Sequence, residues 1–420
     1  MDSKKMTLFG LLIVLLITAA SAHAQKLPLK TSSEQARAAL QKALQLIDTE
    51  QNDKALAELD NALAADPDFA MALAVKAMLS GRGGTELLEK ALSLSEGVEK
   101  EFITALSLAS KRKAEEAIEK LQALHKKLPD EPLVLMRLGA LQLQRGEYSA
   151  AAATFDAANK LTGGTPLGRS QYWLSKGNES LFNDKYAEAR SYYQKIVDAG
   201  DRDATPFIPF FGQVYAYVYE SAPEKAIAVI DEYMARYNRN GAAQGYPPAW
   251  IWNMRARINL EFGNAEEALR NYETGYKSVP PSQLDSLQKE IWLGRKHHGV
   301  ARSLAKMGQI DRAWQIAEQM RAQLEAAGDQ GQRFMPAYHY LAGYIKLEAG
   351  ELDAAIEHLK QANQRDAFIL LLLARAYDRK GDKENALAAY QKILKVRANN
   401  VVRALAYPEA KKMVAQLTSK

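Results

Sequence analysis

The tightest constraint on the fold is a small-against-large pattern that recurs around a reversing glycine. In AFILLLLARAYDRKGDKENALAAYQKIL, Leu370, Leu373, Ala374 and Tyr377 fall at i, i+3, i+4 and i+7, which puts them on one face of a helix. Gly381-Asp382 breaks that helix, and a second follows with Ala386 and Tyr390 four apart on one face. So short a break predicts an antiparallel helix pair. Upstream the same marks recur. Leu135, Leu138, Gly139, Ala151 and Phe155 form one set around Gly146, and Trp173, Gly177, Ala189 and Tyr193 form the next. Trp252, Ala256, Gly263, Ala268, Tyr272 and Pro280 form another; Ala301, Gly308 and Ala313 precede Gly343, Gly350, Ala355 and Leu359.

Weaker copies surround these. Ala55, Leu59, Ala62 and Pro67 mark one second helix, and Ala117, Leu121 and Pro129 mark another. FAMALAVKAMLSGRGGTELLEKALSL is a shortened, glycine-interrupted pair, and a pair around Phe210, Tyr217 and Ala226 lacks its turn glycine. The count is about nine pairs. One pair alone cannot bury its apolar stripe, whereas stacked pairs can, so stability comes from neighbour interfaces and the ends need polar caps. Small residues sit where helices approach closely, bulky ones beside them, and glycine where the chain reverses.

The pattern resembles the tetratricopeptide repeat (TPR), W-x2-L-G-x2-Y followed by Ala and an aromatic four residues on. The resemblance implies an all-α fold, a right-handed α-α superhelix whose concave face is lined by the first helix of every pair and binds an extended peptide or another protein. The marker residues Ala151, Ala189, Ala226, Ala268, Ala313 and Ala355 lie 38, 37, 42, 45 and 42 residues apart. Most of these intervals exceed the family's usual period of about 34. The surplus falls in DAGDRDATPFIP, RNGAAQGYPPA, KSVPPSQLDS and AAGDQGQRFMPA, which read as loops on one edge of the stack.

The N-terminus has a different character. Lys4 and Lys5 precede LFGLLIVLLI, and small residues end in Ala22-His23-Ala24, the order of a cleavable secretory signal peptide over residues 1–24. A periplasmic or secreted location is expected, with no integral membrane segment after cleavage. The chain has no cysteine, so disulfides contribute nothing. N-terminal repeats are assigned to residues 25–162, repeats with long connecting loops to 163–402, and a capping helix to 403–420 with Met413 and Leu417 turned inward. A formal charge of +5 over 420 residues gives no reason to expect nucleic acid as a partner.

The sequence contains no H-E-x-x-H, C-x-x-C, Walker loop or G-x-S-x-G. GRGGTELL lacks the Lys-Ser/Thr of a phosphate loop and reads as a turn. Glu115-Glu116 and Glu266-Glu267 start second helices, where acid suits the helix dipole, and His125 ends one, where a cation does. No catalytic residue, metal or cofactor is expected.

Helical geometry places on the inner face the side chains one and five residues beyond the bulky slot held by Leu135, Trp173, Phe210, Trp252, His297, His339 and Leu370. Through the middle and C-terminal repeats that face carries Asn178, Phe211, Tyr215, Trp250, Asn253, Arg257, Arg295, His298, Arg302, Tyr340, Tyr344 and Arg375. Guanidinium forks bind carboxylates bidentately and aromatics supply rigid apolar area, so the composition suits an acidic or C-terminal peptide segment. The competing possibility is that the arginines pair with acids such as Glu261 and Asp378. Register also separates the histidines of GRKHHGVAR: His297 packs between helices, whereas His298 points inward, where protonation below about pH 6.5 strengthens anion binding. The reading is a non-enzymatic scaffold or assembly factor of a bacterial envelope that binds a protein or peptide. An envelope enzyme or saccharide-binding protein is the alternative.

Overall fold

The computed structural model describes residues 26–48, 51–80, 84–162, 169–199, 207–240, 248–278 and 286–419. Among these residues there are twenty-two helices and no strand. The first four pairs are α1 (Glu34–Asp48) with α2 (Asn52–Ala65), α3 (Ala70–Leu79) with α4 (Gly84–Leu94), α5 (Gly97–Ser110) with α6 (Ala114–Lys127), and α7 (Pro132–Gln144) with α8 (Tyr148–Leu161). The middle pairs are α9 (Arg169–Phe182) with α10 (Tyr186–Ala199), α11 (Phe207–Tyr219) with α12 (Pro223–Asn240), and α13 (Pro248–Glu261) with α14 (Ala265–Lys277). α15 (Ser286–Lys306) pairs with α16 (Ile310–Ala326), the short α17 (Gly328–Gln332) follows, and then come α18 (Met335–Glu348) with α19 (Leu352–Gln361) and α20 (Ala367–Lys380) with α21 (Lys383–Lys395). α22 (Val401–Thr418) is last.

The architecture is the right-handed α-α superhelix the repeats imply, with ten pairs instead of nine. Consecutive helices pack on each other along the chain. The marker alanines Ala151, Ala189, Ala226, Ala268, Ala313 and Ala355 are all fully buried. Helix starts are fixed by side chains: Asp366 accepts from the backbone N–H groups of Phe368 and Ile369, and Asn264 from that of Glu267. At the reversals Gly146, Gly263, Gly308, Gly350 and Gly381 take positive φ. Where the turn glycine is missing the conformation persists: Arg112, Asp184 and Ser221 adopt φ of 61°, 61° and 55°.

The small-against-large rule is clearest around Tyr193. Its ring lies between Gly177 of α9 and Gly212 of α11, so close that a Cβ at either glycine would meet ring carbons at 2.5 or 2.6 Å. One bulky side chain from a second helix thereby fills the space left by glycines on two successive first helices.

Residues 1–25, the boundary at Gly163-Gly164 and most of the first three insertions lie outside the described residues. The fourth insertion, expected as a loop, contains α17. Among the described residues no helix is long and apolar enough to cross a membrane.

Two long-range contacts shape the molecule. α1 reaches α9, four pairs along the stack, so the first helices of the N-terminal half curl around an interior space. α22 packs on its neighbours α20 and α21 and also on α11 and α13. Met413 and Leu417 do pack, partly buried, against the C-terminal core. The helix is more than an end cap, however, because Ala404 belongs to the central core, whereas Ala406 and Ala410 belong to the C-terminal one.

Candidate functional site: the inner face and the helix seated on it

The first helices α13, α15 and α18 bring five of the expected groove residues together, against Phe368 of α20. Arg302 is almost fully buried, donating to the hydroxyls of Tyr272 (2.9 Å) and Tyr340 (3.1 Å), with Glu261 at 4.0 Å. Arg257 donates to the same Tyr340 hydroxyl at 3.0 Å and lies 4.8 Å over the Phe368 ring. Tyr344 is fully buried, and its ring centroid is 5.8 Å from the Arg302 guanidinium. The His298 ring packs against Tyr340 at 4.6 Å.

Electrostatics follow from this burial. Desolvation raises the Glu261 carboxyl above the usual range, against the opposing pull of Arg302, Arg257 and Arg375. Burial opposes charge on Arg302, yet Tyr272, Tyr340 and Glu261 hold it more firmly protonated than usual. His298 is driven well below the ordinary histidine value, first by desolvation and then by Arg302 and Arg257. The expected gain of charge near pH 6.5 is therefore not available to it: enclosed beside two guanidinium groups, the ring stays neutral there.

The remaining positions lie apart from this cluster, except Arg375, whose charge also reaches Glu261. Arg295 stacks on Trp250 with its guanidinium 3.8 Å from the ring, and burial lowers its pKa. Phe211 and Tyr215 are half-buried neighbours with ring centroids 6.0 Å apart, and Asn253 is also half-buried. Asn178 is buried; its Oδ1 accepts from the Tyr193 hydroxyl and from Asn399, both at 2.7 Å. Of the two acids named as competitors, Glu261 lies within the arginine cluster. Arg375 bonds neither of them: its Nε and Nη2 donate to Glu409 at 2.9 and 2.6 Å in a bidentate pair.

Glu409 belongs to α22, which meets the inner face of the middle repeats along much of its length. Arg403 is nearly fully buried and donates to the hydroxyl of Tyr219 at 2.5 Å and to the carbonyl of Val396 at 2.7 Å. Its guanidinium lies 4.1 Å from the Phe182 ring and 4.3 Å from that of Tyr407, an aromatic enclosure that stabilises a desolvated cation. Lys411 pairs with Asp184 at 2.5 Å, and the Tyr148 hydroxyl donates to the carbonyl of Arg397 at 3.0 Å. Between the connection 396–399 and residues 143–148, Leu174 and Asn178 remains an open cleft of about 540 Å³.

Repeat register does not reach Arg403, Glu409 and Lys411, which follow the last repeat, nor Asn399, which lies past the second helix of that repeat. Their signal was weak: Asn399-Asn400, of which Asn400 caps α22, followed by alanines spaced for close helix approach. A second missed feature is the histidine pair His339 and His358, whose Nδ1 atoms lie 3.0 Å apart across α18 and α19. Among the described residues, no three metal-ligating side chains gather at one place.

One tetratricopeptide-repeat profile matches residues 104–164, and a second matches 336–368 and 369–400. No curated protein sequence matches the chain. Among solved structures, a Rap protein complexed with competence and sporulation factor is similar at 12% identity and TM-score 0.51, covering 92% of this chain and 99% of its own. A tetratricopeptide repeat protein from Parabacteroides merdae ATCC 43184 aligns at 17% identity and TM-score 0.36, covering 62% of this chain and 99% of its own. The P58(IPK) TPR domain aligns at 15% and 0.24, with 92% and 99% covered.

Proposed function

We propose that this tetratricopeptide-repeat protein is a non-enzymatic interaction scaffold or assembly factor of a bacterial cell envelope, binding an acidic partner segment along the inner face of its repeats. The repeats support the scaffold role, because stacked helix pairs present an extended concave surface. The charged, apolar and small-residue order of residues 1–24 supports export.

The observation that carries the acidic-segment reading is the seat of α22. There the inner face holds α22 by a bidentate Arg375–Glu409 pair and the connection before it by Asn178 contacting Asn399. A partner segment with a carboxylate and an amide at matching heights meets the same groups. Arg257 makes no ion pair with any described residue and supplies a further guanidinium on that side.

The test places a photo-crosslinker at Tyr215, and separately on the outer face at Lys225, in the source cell. A partner crosslinked at Tyr215 but not at Lys225, with adducts in an acidic segment and recovery that falls with salt, is the expected result. Stoichiometric bound metal, saturable glycan binding, or adducts confined to Lys225 would sink the reading.

A further inference from the structure

The curl that brings α1 against α9 encloses a second, separate space within the N-terminal half. Five first helices, α1, α3, α5, α7 and α9, contribute to its wall, and the cavity of about 80 Å³ opens to solvent on one side. Ten of its twelve lining residues are apolar, Met71, Met78, Phe102, Leu106 and Met136 among them. Methionine side chains are unbranched and polarisable, so this wall can conform to a flexible apolar occupant.

One charge interrupts it. Arg137 of α7 lines the space, makes no ion pair with any described residue, and has a buried Nε without a hydrogen-bond partner. Burial alone pushes its pKa down to about 10. The contrast with the inner face further along is direct. There Arg375 has Glu409, Arg302 has two tyrosine hydroxyls with Glu261 near, and Arg403 has a hydroxyl and a carbonyl. A cation partly withdrawn from water needs an anion or hydrogen-bond acceptors, and no described residue supplies an ion pair to Arg137 or an acceptor to its buried Nε.

We propose that this N-terminal space is a binding site for a free long-chain alkyl carboxylate, with the chain along the methionine-rich wall and the carboxylate on the Arg137 guanidinium. An apolar peptide ending in a carboxylate offers the same head group, but it also carries backbone N–H and C=O groups that must be satisfied once buried. Apart from Arg137 the wall offers only the Gln171 side-chain amide. An alkyl chain brings no such demand. The site is independent of α22 and of the acidic-segment reading.

Calorimetric titration of the purified full chain with dodecanoate, and with dodecanol as the uncharged control, tests it. Expected is saturable one-to-one binding of dodecanoate, at least tenfold tighter than dodecanol. Arg137→Gln brings dodecanoate to the dodecanol level while melting no lower than the parent without ligand, because it removes a half-buried charge that no described residue pairs with. Arg137→Lys keeps most of the affinity, and Ala140→Phe, which fills the space, weakens both ligands. The site is overturned if dodecanoate does not saturate, if Arg137→Gln or Ala140→Phe binds it as tightly as the parent, or if an apolar peptide with a free C-terminal carboxylate binds more tightly.

Discussion

At the scale of single residues, packing and backbone chemistry make opposite demands on glycine. Gly177 is required by contact, because any Cβ would enter the Tyr193 ring. Gly177→Ala is expected to cost about 1–3 kcal/mol, as overpacking does, read as a lower midpoint in urea with an unchanged slope. Arg112 presents the reverse case, an exposed L-residue held at φ 61° where a glycine would rest without strain. Arg112→Gly should therefore stabilise by about 0.5–1 kcal/mol, the relieved strain exceeding the entropy lost from the unfolded chain. An unchanged or lower melting temperature would contradict that. His298 supplies a pH dependence. Its folded pKa lies well below the ordinary histidine value near 6.5, so below about pH 6.5 the unfolded chain binds a proton that the folded chain refuses. Stability contributed by the neutral ring is present above that pH and lost as pH falls. Stability therefore declines as pH falls through and below 6.5, and His298→Phe should show a smaller decline in parallel melts. Sequence register put His298 on the inner side, but it could not show that Tyr340 and two guanidinium groups would enclose it.

At the scale of elements, α22 depends on side chains that sequence periodicity does not reach. The repeats were legible because each copy constrains the next: a buried alanine, a bulky neighbour and a turn residue recur even where Ser221 stands in for glycine. α22 has no such copies, and its position was read only as an end cap. Besides the Arg375–Glu409 pair 34 residues apart, α22 and the connection before it are attached by contacts 184 to 249 residues distant in sequence, Arg403 to Tyr219 and Tyr148 to Arg397. Arg403→Met preserves most of the stem packing and forfeits two hydrogen bonds and the ring contacts. The expected cost is about 2–3 kcal/mol, seen as faster hydrogen exchange across 401–418 before the repeats themselves exchange. Equal protection of α22 in both proteins would show that apolar packing alone holds the helix. The arginine-rich composition of the inner face was also legible, whereas the acid that meets Arg375 was not, because Glu409 lies outside the register that located Arg375.

At the scale of the whole molecule, the seat of α22 changes what kind of solenoid this is. An open stack is stabilised mainly by nearest-neighbour interfaces, and its ends can fray independently. Here one helix bridges the central and C-terminal cores, so those repeats are coupled by a contact that skips the pairs between them. Ending the chain at Lys395 should broaden the denaturant transition and increase the radius of gyration in small-angle scattering; a transition as steep as that of the full chain would argue against the coupling. The bridge also imposes an order of events. α22 follows every repeat it ties together, so a chain emerging N-terminus first completes its repeats before it carries the segment that straps them. During that interval the inner face is bare, and any binder arriving then competes with a helix that has not yet been made.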